Sequence, residues 1–129
     1  MTFINSAAND NIKRWRKISE HPRGAKKIGT TLAEGIHLAE VICQKRPLTR
    51  AVVVRENNVQ SDVLALAERV AEATGAKLLT VTDKLYDAVC PVENGTGIMV
   101  EVAATFADRP VQPIAEDALY LDGVQDAGN

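Results

Sequence analysis

The first regular pattern of apolar and polar positions is an amphipathic one near the amino terminus. Ile12, Trp15 and Ile18 recur every three residues and form one apolar stripe on a helix predicted over residues 9–20. Asn9 is expected to cap this helix. The histidine-proline pair that follows is expected to end it, because the residue before a proline is pushed out of helical geometry. The helix is therefore predicted to have one face for packing and one for charge.

After this helix, short apolar runs typical of strands alternate with helical periods. The predicted elements are a weak strand at 28–33, a helix at 35–45, a strand at 51–54, a helix at 61–74, a strand at 77–81, a short helix that Thr82 caps and that ends before Pro91, and a strand at 97–104. Such alternation predicts an α/β fold, a three-layer α/β/α sandwich with a mostly parallel sheet. Eight aliphatic residues are expected in its core: Val52, Val54, Leu66, Val70, Leu79, Val81, Ile98 and Val100.

The pattern changes beyond residue 104. Residues 105–117 contain two prolines and three acids without a sustained period, which predicts a linker. A new strand is predicted at 118–124, followed by a turn. We therefore expect one domain over residues 1–104, a linker over 105–117, and the first strand and turn of a second domain in residues 118–129.

Charge divides the chain into two unequal halves. Residues 1–50 hold ten Lys and Arg against four Asp and Glu, whereas residues 51–129 hold five against thirteen, which together give the net charge of −2. Seven bases face only Glu20 in one short stretch: Lys13, Arg14, Arg16, Lys17, Arg23, Lys26 and Lys27. This block indicates either a local anionic partner or a solvated helix face, and charge alone does not separate the two.

Cysteine usage and hydropathy exclude several classes of protein. Cys43 and Cys90 lie far apart in apolar helical contexts without metal-ligand spacing, which predicts two buried free thiols, no metal site and a cytoplasmic location. No run approaches the roughly 18 apolar residues of a membrane span. The amino terminus does not have the pattern of a secretory signal. We therefore expect no membrane partner.

Four motifs along the chain resemble those of one enzyme family. INSAANDNIKRWRKIS at residues 4–19 is followed by a basic loop and then by LAEG at residues 32–35. GIMVEVA at residues 97–103 follows PVENGT, and LDGVQDAGN occupies residues 121–129. Together they resemble the SpoU (TrmH-like) family of RNA 2′-O-methyltransferases, with the first three in its substrate-binding domain and the last at the start of its catalytic domain. The chain departs from the family pattern at Ala127, where proline is usual, and at Thr96, where glutamine is common.

The resemblance implies a division of labour between two domains. The amino-terminal domain would have a fold similar to that of small ribosomal proteins that bind kinked RNA, and it would hold ribosomal or transfer RNA. A knotted domain would follow, bind S-adenosylmethionine, form a homodimer and methylate a ribose 2′-hydroxyl. The chain is expected to stop where that domain begins, at Asn129 of its first motif. It is then expected to be a monomer that binds no cofactor and has no catalytic activity alone.

The resemblance and the charge pattern together predict the RNA-binding residues. The exposed face of the first helix would supply Lys13, Arg14, Arg16 and Lys17, and the loop after it Arg23, Lys26 and Lys27, all as phosphate contacts. The backbone of Gly35 could approach a phosphate, whereas Glu34 is expected to orient a nearby arginine through an ion pair. Trp15 is expected to pack in the core rather than to stack on a base.

Two other classes of function remain open at this point. One is a small-ligand or nucleotide-binding α/β module, although no glycine-rich GxGxxG or GxxxxGK sequence follows any strand. The other is a protein-interaction module that uses the acidic second half.

Overall fold

Five strands and six helices make up the part of the chain that the structure describes. The computed structural model describes residues 2–21, 23–57, 60–92 and 96–107. The strands are β1 (Thr2–Ile4), β2 (Thr30–Glu34), β3 (Thr49–Arg55), β4 (Lys77–Val81) and β5 (Ile98–Ala103). The helices are α1 (Asp10–Glu20), α2 (Gly24–Ile28), α3 (Ile36–Lys45), α4 (Ser61–Thr74), α5 (Asp83–Val89) and α6 (Ala104–Ala107). Most of the predicted linker, the strand predicted at 118–124 and Asn129 lie outside the described residues.

The helix ends follow the capping chemistry read from the sequence. The side chain of Asn9 accepts a hydrogen bond from the backbone N–H of Asn11 at 2.8 Å, which confirms it as the cap of α1. The hydroxyl of Thr82 accepts from the N–H of Leu85 at 3.2 Å and caps α5 in the same way. Helix α4 ends at Gly75, which adopts the left-handed conformation with a φ of 75°.

The sheet is mixed rather than mostly parallel. Its strand order is β1-β4-β3-β5-β2, with β4 parallel to both β1 and β3 and with β5 antiparallel to both β3 and β2. The direction of β5 follows from where it enters the sheet. Val54, near the end of β3, is in register with Thr80 near the end of β4 and with Ile98 at the start of β5. Strand β5 therefore begins at the edge where β3 and β4 end, and it runs back in the opposite direction.

Helices cover both faces of this sheet, which confirms the three-layer α/β/α architecture. Helices α1 and α5 pack on one face through residues that include Trp15 and Tyr86. Helices α3 and α4 pack on the other through residues that include Ile42 and Leu66. All eight predicted core residues are buried.

Three short elements were not predicted, and one of them is α6, which covers the end of the predicted last strand and the start of the predicted linker. Strand β1 adds an edge to the sheet and buries Ile4, although it has only three residues. Helix α2 occupies most of residues 23–27, which were expected to form a loop. It is five residues long and ends at Gly29, so it is too short to show a helical period in the sequence.

Candidate nucleic-acid interface

A buried carboxylate lies beneath the basic helix face. Glu101 of β5 is fully buried, and its side chain accepts four hydrogen bonds. Arg14 donates two at 2.8 Å, from Nε and from Nη2. The indole N–H of Trp15 donates a third at 2.8 Å, and the hydroxyl of Thr30 a fourth at 2.7 Å.

These partners keep the buried carboxylate ionised. Removal from water on its own raises the pKa of Glu101, since a buried charge is costly. The hydrogen bonds from Arg14, Trp15 and Thr30, together with the positive charge of Arg14, outweigh that cost and hold the pKa below its ordinary value. Glu101 is therefore a negative charge in the core, fixed by partners on α1 and β2.

Arg14 is therefore not a free cation on the exposed helix face, and its predicted contact with a phosphate stays a prediction. Only 15% of its side chain is exposed, and its guanidinium group is neutralised by Glu101, 87 positions away in the chain. It also donates to the side chain of Asn11 at 2.8 Å and lies 5.8 Å from the centre of the Trp15 ring. Trp15 is fully buried, which confirms its predicted place in the core.

Three of the predicted cations converge on a groove between α1 and α2. The groove encloses about 420 Å³, and its lining residues are Lys17, His21, Arg23, Gly24, Lys27 and Ile28. None of them is acidic. Lys17, Arg23 and Lys27 were predicted to bind RNA. His21 was not predicted, because histidine counts as neutral in the formal charge. The packing of the two helices therefore places three predicted cations on one concave surface.

Close contact between the two helices shapes this groove. The backbone N–H of Gly24 donates to the carbonyl oxygen of His21 at 2.9 Å. A Cβ atom at Gly24 would overlap the carbonyl oxygen of Lys17, so only glycine allows α2 to lie this close to α1.

The other predicted cations lie outside the groove. Lys13 and Lys26 are exposed on the surfaces of α1 and α2. Arg16 is exposed as well and pairs with Glu20 one turn later, with 3.1 Å between Nε and the carboxylate. An exposed pair of this kind contributes little to stability and does not prevent a later phosphate contact.

Glu34 and Gly35 are both bonded to the chain near β5. Glu34 accepts hydrogen bonds from the backbone N–H and the hydroxyl of Thr96, which fixes the entry into β5. It pairs with no arginine among the described residues, so its predicted role stays a prediction. The N–H of Gly35 donates to the carbonyl oxygen of Ile98 at 3.1 Å and is therefore already used. Gly35 has a φ of 120°, which favours glycine there for a conformational reason.

Sequence reasoning missed a second cluster of cations. Arg50 and Lys77 line a recess of about 270 Å³ together with Asn11 and Arg14 of α1. The sequence did indicate this cluster, because each cation lies at the start of a predicted strand. Arg50 immediately precedes the strand at 51–54, and Lys77 begins the strand at 77–81. The starts of neighbouring parallel strands meet at one edge of a sheet.

Other kinds of site find no support in residues 2–21, 23–57, 60–92 and 96–107. No helix within these ranges is both long and apolar enough to cross a lipid bilayer. They also contain no group of three or more metal-ligating side chains. Both cysteines are free and partly buried, and burial raises the pKa of the Cys90 thiol.

Structures of similar fold come from methyltransferases. The structure resembles that of an rRNA methyltransferase from Sinorhizobium meliloti, with a TM-score of 0.63 and 17% identity over 79% of this chain and 36% of that one. It also resembles an RNA 2′-O ribose methyltransferase, with a TM-score of 0.64 and 18% identity over 92% of this chain and 42% of the other. The chain thus spans less than half the length of these proteins.

Comparison at the level of sequence families is more specific. No curated protein sequence matches the chain significantly. The family model of the MRM3-like substrate binding domain matches residues 9–100, which run from the cap of α1 into β5. This match covers well over half of the 129 residues and agrees with the substrate-binding domain expected from the motifs. The chain belongs to the family of MRM3-like substrate-binding domains.

Proposed function

We propose that this chain binds RNA for a ribose methyltransferase and that the groove between α1 and α2 holds the RNA backbone. The observation that carries the proposal is the composition of the groove, where Lys17, Arg23 and Lys27 converge and none of the described lining residues is acidic. Each of these side chains is exposed, and none forms an ion pair within the described residues. Phosphates of a nucleic acid would supply the missing counter-charges.

The groove can bind more than a single phosphate. The guanidinium group of Arg23 can hold a phosphate through two parallel hydrogen bonds, while Lys17 and Lys27 act as point charges beside it. Ile28 and the aliphatic stems of the lysines give the groove an apolar floor against which a sugar or base can pack. Contacts of this kind position an RNA without reading its sequence.

The proposal extends to the enzyme of which such a domain is part. The similar structures are named as an rRNA methyltransferase, also in an AdoMet-bound form, and as an RNA 2′-O ribose methyltransferase. Together with the motif at residues 121–129, these names support a parent enzyme that methylates a ribose 2′-hydroxyl of ribosomal or transfer RNA. Its knotted domain would bind S-adenosylmethionine and form the homodimer. Its location would be the cytoplasm, as the free cysteines suggest.

A charge-reversal experiment tests the groove. The variant Lys17→Glu/Lys27→Glu is compared with Arg69→Glu/Lys84→Glu, which changes the net charge equally at exposed positions of α4 and α5. Arg55 is not a suitable control site, because it pairs with Asp83 at 3.3 Å and Asp87 at 2.9 Å. Affinity for a fluorescent 30-nucleotide RNA stem-loop with an internal loop is measured by anisotropy from low to moderate salt.

The groove variant should lose about tenfold or more in affinity, and its salt slope should become shallower by about 1.5, since each phosphate contact contributes roughly 0.7 to 0.9. The control should change by less than about threefold, as expected for distant charges that salt screens. Equal losses in the two variants would show that net charge, not the groove, drives binding. A folded wild-type protein without affinity for RNA at low salt would contradict the proposed function itself.

A further inference from the structure

The recess missed by sequence reasoning lies at the edge of the sheet where β3 and β4 begin. Lys77 is the first residue of β4 and is in register with Ala51 of β3. Register partners on neighbouring strands project from the same face, and Ala51 belongs to the core beneath α1. Lys77 therefore lies on the α1 face of the sheet, where it lines the recess with Asn11 and Arg14.

A β-bulge brings the second cation to the same place. Thr49 is paired with Val102 and Ala51 with Glu101, so Arg50 is an extra residue between two consecutive partners on β5. Regular alternation would send Arg50 to the face opposite Ala51. Bulges break this alternation and redirect a side chain, and Arg50 accordingly lines the recess on the α1 face.

The recess is rich in hydrogen-bond donors, and no acid is among its described lining residues. Arg50 and Lys77 are exposed, and neither forms an ion pair within the described part of the chain. The charge of Arg14 is balanced by Glu101, but the bonds found for its guanidinium group use only Nε and Nη2. Its Nη1 group still has two N–H donors to offer.

We infer that this recess is a second phosphate-binding site for the same RNA strand, an inference that rests on the proposed function. Arg14 and Lys17 are three residues apart and lie side by side on one face of α1, so the recess and the groove adjoin along this helix. From Asn11 in the recess to His21 in the groove, the helix rises about 15 Å. A stacked strand with roughly 3.4 Å between phosphates along its axis needs about four to six nucleotides to span that distance.

The test adds two variants and a series of RNA lengths to the experiment on the groove. Arg50→Glu/Lys77→Glu is compared with the wild type, with Lys17→Glu/Lys27→Glu and with the control Arg69→Glu/Lys84→Glu. The probes are the stem-loop and fluorescent oligouridines of 3 and 12 nucleotides. Circular dichroism and urea unfolding check each fold, and Arg50→Gln/Lys77→Gln removes the charges without reversing them.

The recess variant should bind the stem-loop and the 12-nucleotide RNA about tenfold less tightly than the wild type, with a salt slope shallower by about 1 to 2. The glutamine variant should show a smaller loss in the same direction. The trinucleotide is too short to span both sites. Its affinity for the recess variant, and likewise for the groove variant, should therefore differ from its affinity for the wild type by no more than about threefold.

The outcomes separate this inference from the proposed function. If the recess variant matches the control while the groove variant loses affinity, RNA binds in the groove alone and the second site is wrong. If the glutamine and glutamate variants weaken binding only in proportion to lost stability, the effect is one of folding and the inference is also wrong. If the wild type binds none of the RNAs, both proposals are overturned together.

Discussion

Two cations about one turn apart on helix α1 lie in opposite surroundings. Arg14 is bonded to the buried carboxylate of Glu101. Lys17 lines a groove whose other charged side chains are Arg23 and Lys27. The two residues are three positions apart and share one helix face. Their roles differ because β5 brings an acid to one of them and α2 brings further cations to the other. A basic run in a sequence is therefore not equivalent to a basic surface.

The largest effect on stability should come from removing the buried charge of Glu101 beneath α1. Glu101→Gln leaves Arg14 without its counter-ion and should lower the free energy of unfolding by about 3–5 kcal/mol. The matched control is Glu34→Gln, because Glu34 is only half-buried and bonds with Thr96, and it should cost about 1 kcal/mol or less. Urea unfolding at neutral pH measures both. Similar costs would mean that the Glu101 network contributes no more than a surface hydrogen bond.

The difference in unfolding free energy between the wild type and Glu101→Gln should depend on pH. Because its partners lower the pKa of Glu101 in the folded protein, its contribution to stability is complete above the ordinary glutamate pKa of about 4.3. That contribution is lost as the pH falls through the lower folded value. The difference in unfolding free energy between the wild type and Glu101→Gln should thus be largest near neutral pH and narrow in acid. A difference that stays constant down to pH 3 would contradict an ionised Glu101.

A smaller difference in stability is expected between alanine variants of two adjacent bases of α1, Arg14 and Lys13. Arg14→Ala leaves the buried carboxylate of Glu101 without its counter-ion and should lower the free energy of unfolding by about 2–4 kcal/mol. Lys13→Ala, at an exposed position, should change it by less than about 0.5 kcal/mol. For RNA, Lys13→Ala should make the salt slope shallower by less than about 1 without affecting the fold. If instead both variants unfold at the same urea concentration, the ion pair to Glu101 does not stabilise the protein.

Most of the fold follows from local patterns. Helix α4 and strand β4 have the bounds predicted from their apolar periods, and Asn9 and Thr82 cap the helices that follow them. These features depend on residues a few positions apart, which a single sequence displays directly. Strand direction could not be predicted in this way, because it depends on where β5 pairs with β2 and β3, which are far from it in the chain.

The site was less predictable because its chemistry depends on distant partners. Nothing within one turn of Arg14 reveals that Glu101 will neutralise it. The position of Arg50 depends on a bulge, which appears only when β3 is aligned with β5. The groove needed α2, whose few residues carry no period of their own.

The smallest effect concerns the packing that shapes the groove, tested without changing any charge. In Gly24→Ala, the new Cβ would overlap the carbonyl oxygen of Lys17, so α2 must move away from α1 at a cost of about 1–2 kcal/mol. RNA affinity should fall roughly two- to fivefold, because phosphate contacts depend on the geometry of their donors.

The matched control is Gly75→Ala, because Gly75 has the left-handed φ of 75° and open space around a new Cβ. It should cost a similar 1–2 kcal/mol without an effect on RNA binding. Unfolding curves and RNA titrations of both variants at a temperature where each is fully folded make the comparison. Should the two alanine variants lose RNA affinity equally, global stability would account for the loss, and the close contact of α1 with α2 would have no particular part in binding.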